Sequence, residues 1–271
     1  MVYARARLRV AASNVRSNRS LTITVIRFVV FCQLGVICLL APVYLRTGAI
    51  HFLQKAFVAA AANVPLAFFL VFSAGLLLTG DRPKLGLANR LTIVRFVLVV
   101  PLVMFVVDEA FIAALIVYGT VLATDVLDGI AARLKGEKTE FGTIMDPLAD
   151  IASTAALYGA FLFHGFIPLW VFLILMARYV TLFAGSVALF LIVGPLRFRA
   201  TPVGKIVGVL QGAAGIMILA LAGAGVQWLD NIGVTLFGFL GIIFGSVIVS
   251  QLVIAIGMVR SGARCRILKA I

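Results

Sequence analysis

Apolar residues run along this chain in long blocks separated by short polar or basic connectors. A membrane-crossing helix needs about 20 mostly apolar residues. Eight blocks approach or exceed that length, at residues 25–45, 56–79, 92–107, 110–133, 145–164, 167–193, 204–225 and 232–259, the third being short. The pattern predicts an all-α polytopic membrane protein. Two spans come first, then the basic, Pro- and Gly-punctuated connector TGDRPKLGLANR, then six more spans. The connector is the natural internal boundary. It divides the chain into residues 1–80 (a basic segment and two helices), 81–260 (a six-helix domain) and a basic tail at 261–271.

Composition agrees with this division. Of 271 residues, 63% are hydrophobic and 12% charged, and the mean hydropathy is +1.18, well above that of soluble domains, which are roughly half apolar. The first apolar run is too long for a typical signal-peptide core and is read as a retained anchor. Basic residues near span ends mark cytoplasmic loops. With the N-terminus inside, cytoplasmic patches hold Arg5, Arg7, Arg9, Arg16 and Arg19, then Arg82, Lys84 and Arg90, then Arg133, Lys135 and Lys138. Arg197, Arg199 and Lys205, and finally Arg260, Arg264, Arg266 and Lys269, complete that side, against Arg46 and Lys55 outside. Both termini are therefore expected in the cytoplasm. Arg27 and Arg95 lie near cytoplasmic span ends, where snorkelling is the default expectation. The net charge of +13 sits in juxtamembrane patches that suit anionic headgroups, at about 1 kcal/mol per residue, and not nucleic acid. Cys32, Cys38 and Cys265 imply no disulfide or metal framework, and the isolated His51 and His164 are expected in loops.

Against this background, TDVLDGIAARLKGEKTEFGTIMDPLAD at 124–150 is the anomaly. A carboxylate at a span centre costs about 2.5–3.5 kcal/mol, so four approach roughly 10 kcal/mol if unpaired. Counting inward from the outer span ends places Asp125, Asp128 and Asp146 near one membrane face, with Asp150 a turn deeper. Asp125, Asp128, Gly129 and Ala132 share a helical stripe about 100° wide, with Arg133 on its edge. Gly129 and Ala132 leave room for a flat ligand against the backbone, and Arg133 offers a donor fork for phosphate. Asp146 and Asp150, four apart, share one face of the next helix; Pro147 either kinks that helix or marks its first turn with Asp146 as cap. All-oxygen donors suit hard divalent cations, and two such ions would clamp a phosphoryl group in transfer. Helix caps and salt bridges would explain one pair of aspartates but not four.

The run Asp125-x2-Asp128-Gly129-x2-Ala132-Arg133-x8-Gly142-x3-Asp146-x3-Asp150 resembles the signature of the CDP-alcohol phosphotransferase family at every defining position. Asn89, Leu91, Thr92 and Arg95 resemble the segment leading into that family's first helix, and the likeness covers roughly residues 86–260. It implies a six-helix bundle, here preceded by two extra helices, in the cell (inner) membrane with its site on the cytoplasmic side. The implied reaction moves a phosphatidyl group from CDP-diacylglycerol to an alcohol and releases CMP. The same resemblance implies two Mg²⁺ or Mn²⁺ ions on Asp125, Asp128, Asp146 and Asp150, the CDP moiety against Gly129, Ala132, Arg133 and Gly142, Asp150 as base, and a homodimer.

FGTIMDPLAD, Arg178 and TPVGKIVGVLQ look most like the phosphatidylglycerolphosphate and cardiolipin synthase branch, although Ile151 and Tyr179 depart from it. Glycerol 3-phosphate is the favoured acceptor, with cardiolipin synthesis or another acceptor the alternative. A phosphorylated acceptor would need cations, for which Arg178 and Lys205 are candidates, set against snorkelling or bundle pairing for Arg178 and a plain juxtamembrane charge for Lys205. The rival from another class is a cation-coupled transporter, since intramembrane carboxylates also mark ion paths.

Overall fold

The computed structural model describes residues 19–77, 85–135, 140–193, 202–225 and 237–246, with 248, 249 and 253. All regular structure among them is helical: α1 (Arg19–Tyr44), a 3₁₀ turn (Leu45–Thr47), α2 (Ala49–Leu77), α3 (Leu87–Val107), α4 (Phe111–Lys135), α5 (Glu140–Phe163), α6 (Leu169–Val193), α7 (Pro202–Gly223) and α8 (Phe237–Ser246). These follow the eight apolar blocks. Among the described residues, the stretches long and apolar enough to cross a membrane by length and composition lie in α1, α2, α3, α4 and α7. Both chain termini, and so their side of the membrane, lie outside the described residues.

The chain forms two compact units, Met1–Leu157 and Tyr158–Ile271. The division falls inside α5, and the first two helices share a unit with α3, α4 and the start of α5. Within that unit α3 is central. It packs along α4 and meets both α1 and α2, and 56% of its span is buried against 22% for each of α1 and α2. Those two helices turn Phe31, Phe57, Val64 and Phe68 outward, as a lipid-facing surface requires. Pro42, Pro65, Pro101 and Pro147 lie inside helices, which membrane helices tolerate because neighbours satisfy the freed backbone.

Helix ends explain the tight connections. After α3, the Ala110 N–H donates to Phe105 O (2.8 Å) and the Glu109 N–H to Val106 O (3.0 Å), the paired bonds of a Schellman stop. Its left-handed position is filled by Glu109, at φ 58°, where glycine is usual. α5 ends the same way on Gly165 (φ 70°), with Phe166 N–H bonded to Phe161 O at 2.9 Å. His164 lies in that turn as expected, stacked on Phe166. His51 does not lie in a loop: α2 begins at Ala49, and His51 Nδ1 lies 2.6 Å from Thr47 Oγ1.

The α3–α4 turn is tied to the α1–α2 hairpin. Tyr44 donates its hydroxyl to Asp108 (2.5 Å), Lys55 donates to both Asp108 oxygens at 2.8 and 2.6 Å, and the Tyr44 ring stacks on Phe105. Near the other end of α3, Arg90 lies over the Phe28 ring.

Candidate active site

The aspartates gather around α3. This helix starts at Leu87, about a turn before the apolar block, so Thr92 and Arg95, three apart, share a face inside the unit. Arg95 Nη2 donates to Asp128 Oδ2, and Nη1 lies 2.9 Å from Asp125 Oδ1. Thr92 donates its hydroxyl to Asp146 Oδ1 at 2.6 Å, with Ala88 O at 3.1 Å as a longer alternative. Asp146 also lies in electrostatic range of Arg95, Asp125 and Asp128. Two polar residues of α3 thus engage three carboxylates from α4 and α5.

Arg95 does not snorkel. Its side chain is 1% exposed, because the carboxylates of α4 offer a stronger counter-charge than a headgroup beyond the helix end. The sequence signal was present: Thr92 and Arg95 stand three apart in a block otherwise apolar, facing aspartates in need of a cation. Pro147 is interior, since α5 already begins at Glu140, so Asp146 is a helix-wall residue and not a cap. Pro147 removes one i→i−4 bond, the one its own N–H would make to the carbonyl of residue 143, in the turn that leads up to Asp146.

The remaining candidates are placed as follows. Asp150 is exposed one turn along α5, and its carbonyl accepts from Ser153. Gly129 follows Asp128 directly, half-buried, and Gly142 is buried near the start of α5. The side chains of Ala132, Arg133 and Lys205 lie outside the described residues. In the second unit, Arg178 is buried and donates to Gln211 Oε1 at 2.6 Å. Gln211 Nε2 donates to Tyr179 Oη at 3.0 Å, and Tyr158 donates to Gln211 O at 2.9 Å.

Among the described residues no three His, Cys, Asp or Glu converge as a ready metal cage. The donor chemistry nonetheless fits a hard cation, being carboxylate and hydroxyl oxygen throughout. Oxygens of Asp125 and Asp128 face Arg95, the nearest cation, in place of a shared centre.

The class these features define is a polytopic helical membrane protein in which a buried arginine and threonine hold a set of carboxylates. Within it, the chain belongs to the CDP-alcohol phosphatidyltransferase family, whose model matches residues 85–244. That membership sets aside the transporter alternative. The chain is 32% identical over 100 residues to a "Probable phosphatidylglycerophosphate synthase" of Mycobacterium tuberculosis, covering 34% of this chain and 47% of that protein. It is 32% identical over 108 residues to a "CDP-diacylglycerol--glycerol-3-phosphate 3-phosphatidyltransferase" of Aquifex aeolicus, covering 39% and 60%. A Treponema pallidum protein of the same description matches at 31% over 67 residues, covering 25% and 31%. The chain spans about half the length of the first of these curated relatives, and no solved structure matches it.

Proposed function

We propose that this protein transfers the phosphatidyl group of CDP-diacylglycerol to glycerol 3-phosphate, releasing CMP and forming phosphatidylglycerol phosphate in phospholipid synthesis. The observation that carries this reading is the α3 face on which Thr92 and Arg95 engage Asp125, Asp128 and Asp146, inside the stretch the family model covers. The names of the relatives favour glycerol 3-phosphate over other alcohols.

Asp125, Asp128, Asp146 and Asp150 would hold two divalent ions, Mg²⁺ or Mn²⁺, which supply charge neutralisation on the pyrophosphate and a more acidic acceptor hydroxyl. The acceptor oxygen attacks the lipid-side phosphorus in line; the bond from that phosphorus to the bridging oxygen breaks, and CMP leaves with the electron pair. Asp150, exposed on α5, takes the hydroxyl proton. Gly129, Ala132, Arg133 and Gly142 would cradle the CDP moiety. Positioning supplies most of the rate, as in other phosphoryl transfers. Arg178 and Lys205 are the proposed cations for the acceptor's phosphate. Arg178 supports this by having, among the described residues, a neutral amide and no carboxylate as its bonded partner. The basic patches support an active site on the cytoplasmic side of the cell membrane, the family match over residues 85–244 supports a catalytic domain at 81–260, and a homodimer is the proposed assembly.

The test is CMP release by purified protein with CDP-diacylglycerol, Mg²⁺ and a panel of glycerol 3-phosphate, phosphatidylglycerol, inositol phosphate, serine and choline, with lipid products read by mass spectrometry. Phosphatidylglycerol phosphate from glycerol 3-phosphate is expected. Cardiolipin from phosphatidylglycerol would move the assignment to the neighbouring branch, and no CMP with any acceptor would sink it.

A further inference from the structure

The Arg95 guanidinium carries its charge into an apolar bundle, a placement that stands only where counter-charges face it. Those facing it are Asp125, Asp128 and, at longer range, Asp146. Its two arms are unequal. The arm to Asp128 is a hydrogen bond to a carboxylate whose side chain is 7% exposed. The arm to Asp125 is close, at 2.9 Å, yet its carboxylate is 56% exposed, and Nη1 makes no hydrogen bond among the described residues; neither does Nε. A guanidinium serving only to brace helices would be expected to use its fork bidentately. Here one carboxylate is anchored and the other is held by charge alone, at the edge of the site.

We propose that Arg95 is the resident counter-ion of the aspartate site: it keeps Asp125 and Asp128 together when no divalent cation is bound, and yields the Asp125 arm when one binds. The inference rests on the metal reading above and adds a competition to it. Asp128 stays anchored on Arg95 while Asp125, the exposed and loosely held carboxylate, exchanges between guanidinium and metal. Arg95 is then a positioning residue that sets metal affinity without touching substrate. It also relieves the repulsion among the aspartates in the metal-free protein, which is why the site stays assembled between metal-binding events.

The experiment uses the full chain in lipid nanodiscs, with Mn²⁺ binding read by electron paramagnetic resonance and thermal midpoints recorded in EDTA and in saturating Mn²⁺. Removing one unit charge a few Å from a divalent ion is expected to tighten Mn²⁺ binding by Arg95→Gln about tenfold. The same variant is expected to have a lower midpoint than wild type in EDTA, with the two converging at saturating Mn²⁺, while Arg95→Lys keeps an affinity near wild type. Equal or weaker Mn²⁺ binding by a folded Arg95→Gln would overturn the proposal. A second measurement needs only wild type: infrared difference spectra on Mn²⁺ addition, with the arginine guanidinium ¹⁵N-labelled. A shift of the isotope-sensitive guanidinium band is expected; saturation with Mn²⁺ without such a shift overturns the proposal while leaving the metal reading intact. If wild type binds no Mn²⁺ at all, the metal reading falls and this inference falls with it.

Discussion

Replacing Thr92 by valine removes one hydroxyl and little else, and it isolates the bond that holds Asp146. That hydroxyl is buried and 2.6 Å from Asp146 Oδ1, shorter than its 3.1 Å alternative to Ala88 O, so the carboxylate is its main acceptor. A hydrogen bond to a charged group contributes about 1.5–3 kcal/mol. If Asp146 must keep this orientation in the transition state, the loss corresponds to roughly a 10- to 150-fold fall in kcat/KM, at about 1.4 kcal/mol per factor of ten. The assay is CMP release under subsaturating CDP-diacylglycerol at a series of Mg²⁺ concentrations. Thr92→Val is expected to be slow and to need more Mg²⁺; Thr92→Ser, which restores the donor, is expected to recover most of the loss. Wild-type kinetics and Mg²⁺ dependence in Thr92→Val would refute a positioning role for the α3 face.

Asp146→Asn should abolish CMP release while leaving the thermal midpoint close to wild type; turnover near normal would argue against Asp146 as a ligand. Glu109→Gly should raise stability, since relief of about 1–2 kcal/mol of left-handed backbone strain exceeds glycine's entropy penalty of about 0.5–1 kcal/mol; a lower midpoint in detergent would contradict the Schellman geometry. In the second unit, a β-carbon on Gly241 would lie 2.6 Å from Cζ3 of the 45% exposed Trp170 ring, so Gly241→Ala should destabilise by about 1 kcal/mol, the low end of overpacking costs, and Trp170→Phe should restore part of it. Unchanged thermal unfolding of Gly241→Ala would show that α6 and α8 do not meet there.

The helix count, the paired aspartates and their family were legible because each is written within one helix or one connector. Spacing along α4 puts Asp125 and Asp128 on one face whatever surrounds them. The partners of those aspartates were not legible. Arg95 lies 33 residues from Asp128, and Thr92 54 residues from Asp146, and helical spacing within α3 says nothing of what stands opposite. Snorkelling is the sound expectation for an arginine near a span end until a buried counter-charge is known. Pro147 was ambiguous because a first-turn proline and a kinking proline look alike; the decision lay upstream, where Glu140 opens the helix before the apolar block begins. The bond between Tyr44 and Asp108, 64 residues apart, left no trace in the apolar pattern.

That bond bears on what α1 and α2 do for the helix beside them. α3 has one face toward the aspartates and others toward α1 and α2, so its position is fixed from both sides. At one end of α3, Lys55 and Tyr44 converge on Asp108, with the Tyr44 ring on Phe105. The ion pair is only partly exposed, at 25% for each side chain, so less of it is screened than in an open surface pair, which contributes about 0–1 kcal/mol. Near the other end Phe28 meets Arg90, and midway along the helix Phe69 meets Phe96, one residue from Arg95. A helix held at both ends has little freedom to slide or rotate. Rotation of α3 by a single residue would swing Thr92 and Arg95 through about 100°, away from Asp146, Asp125 and Asp128. The α1–α2 hairpin therefore packs on the same helix that carries Thr92 and Arg95 to the aspartates.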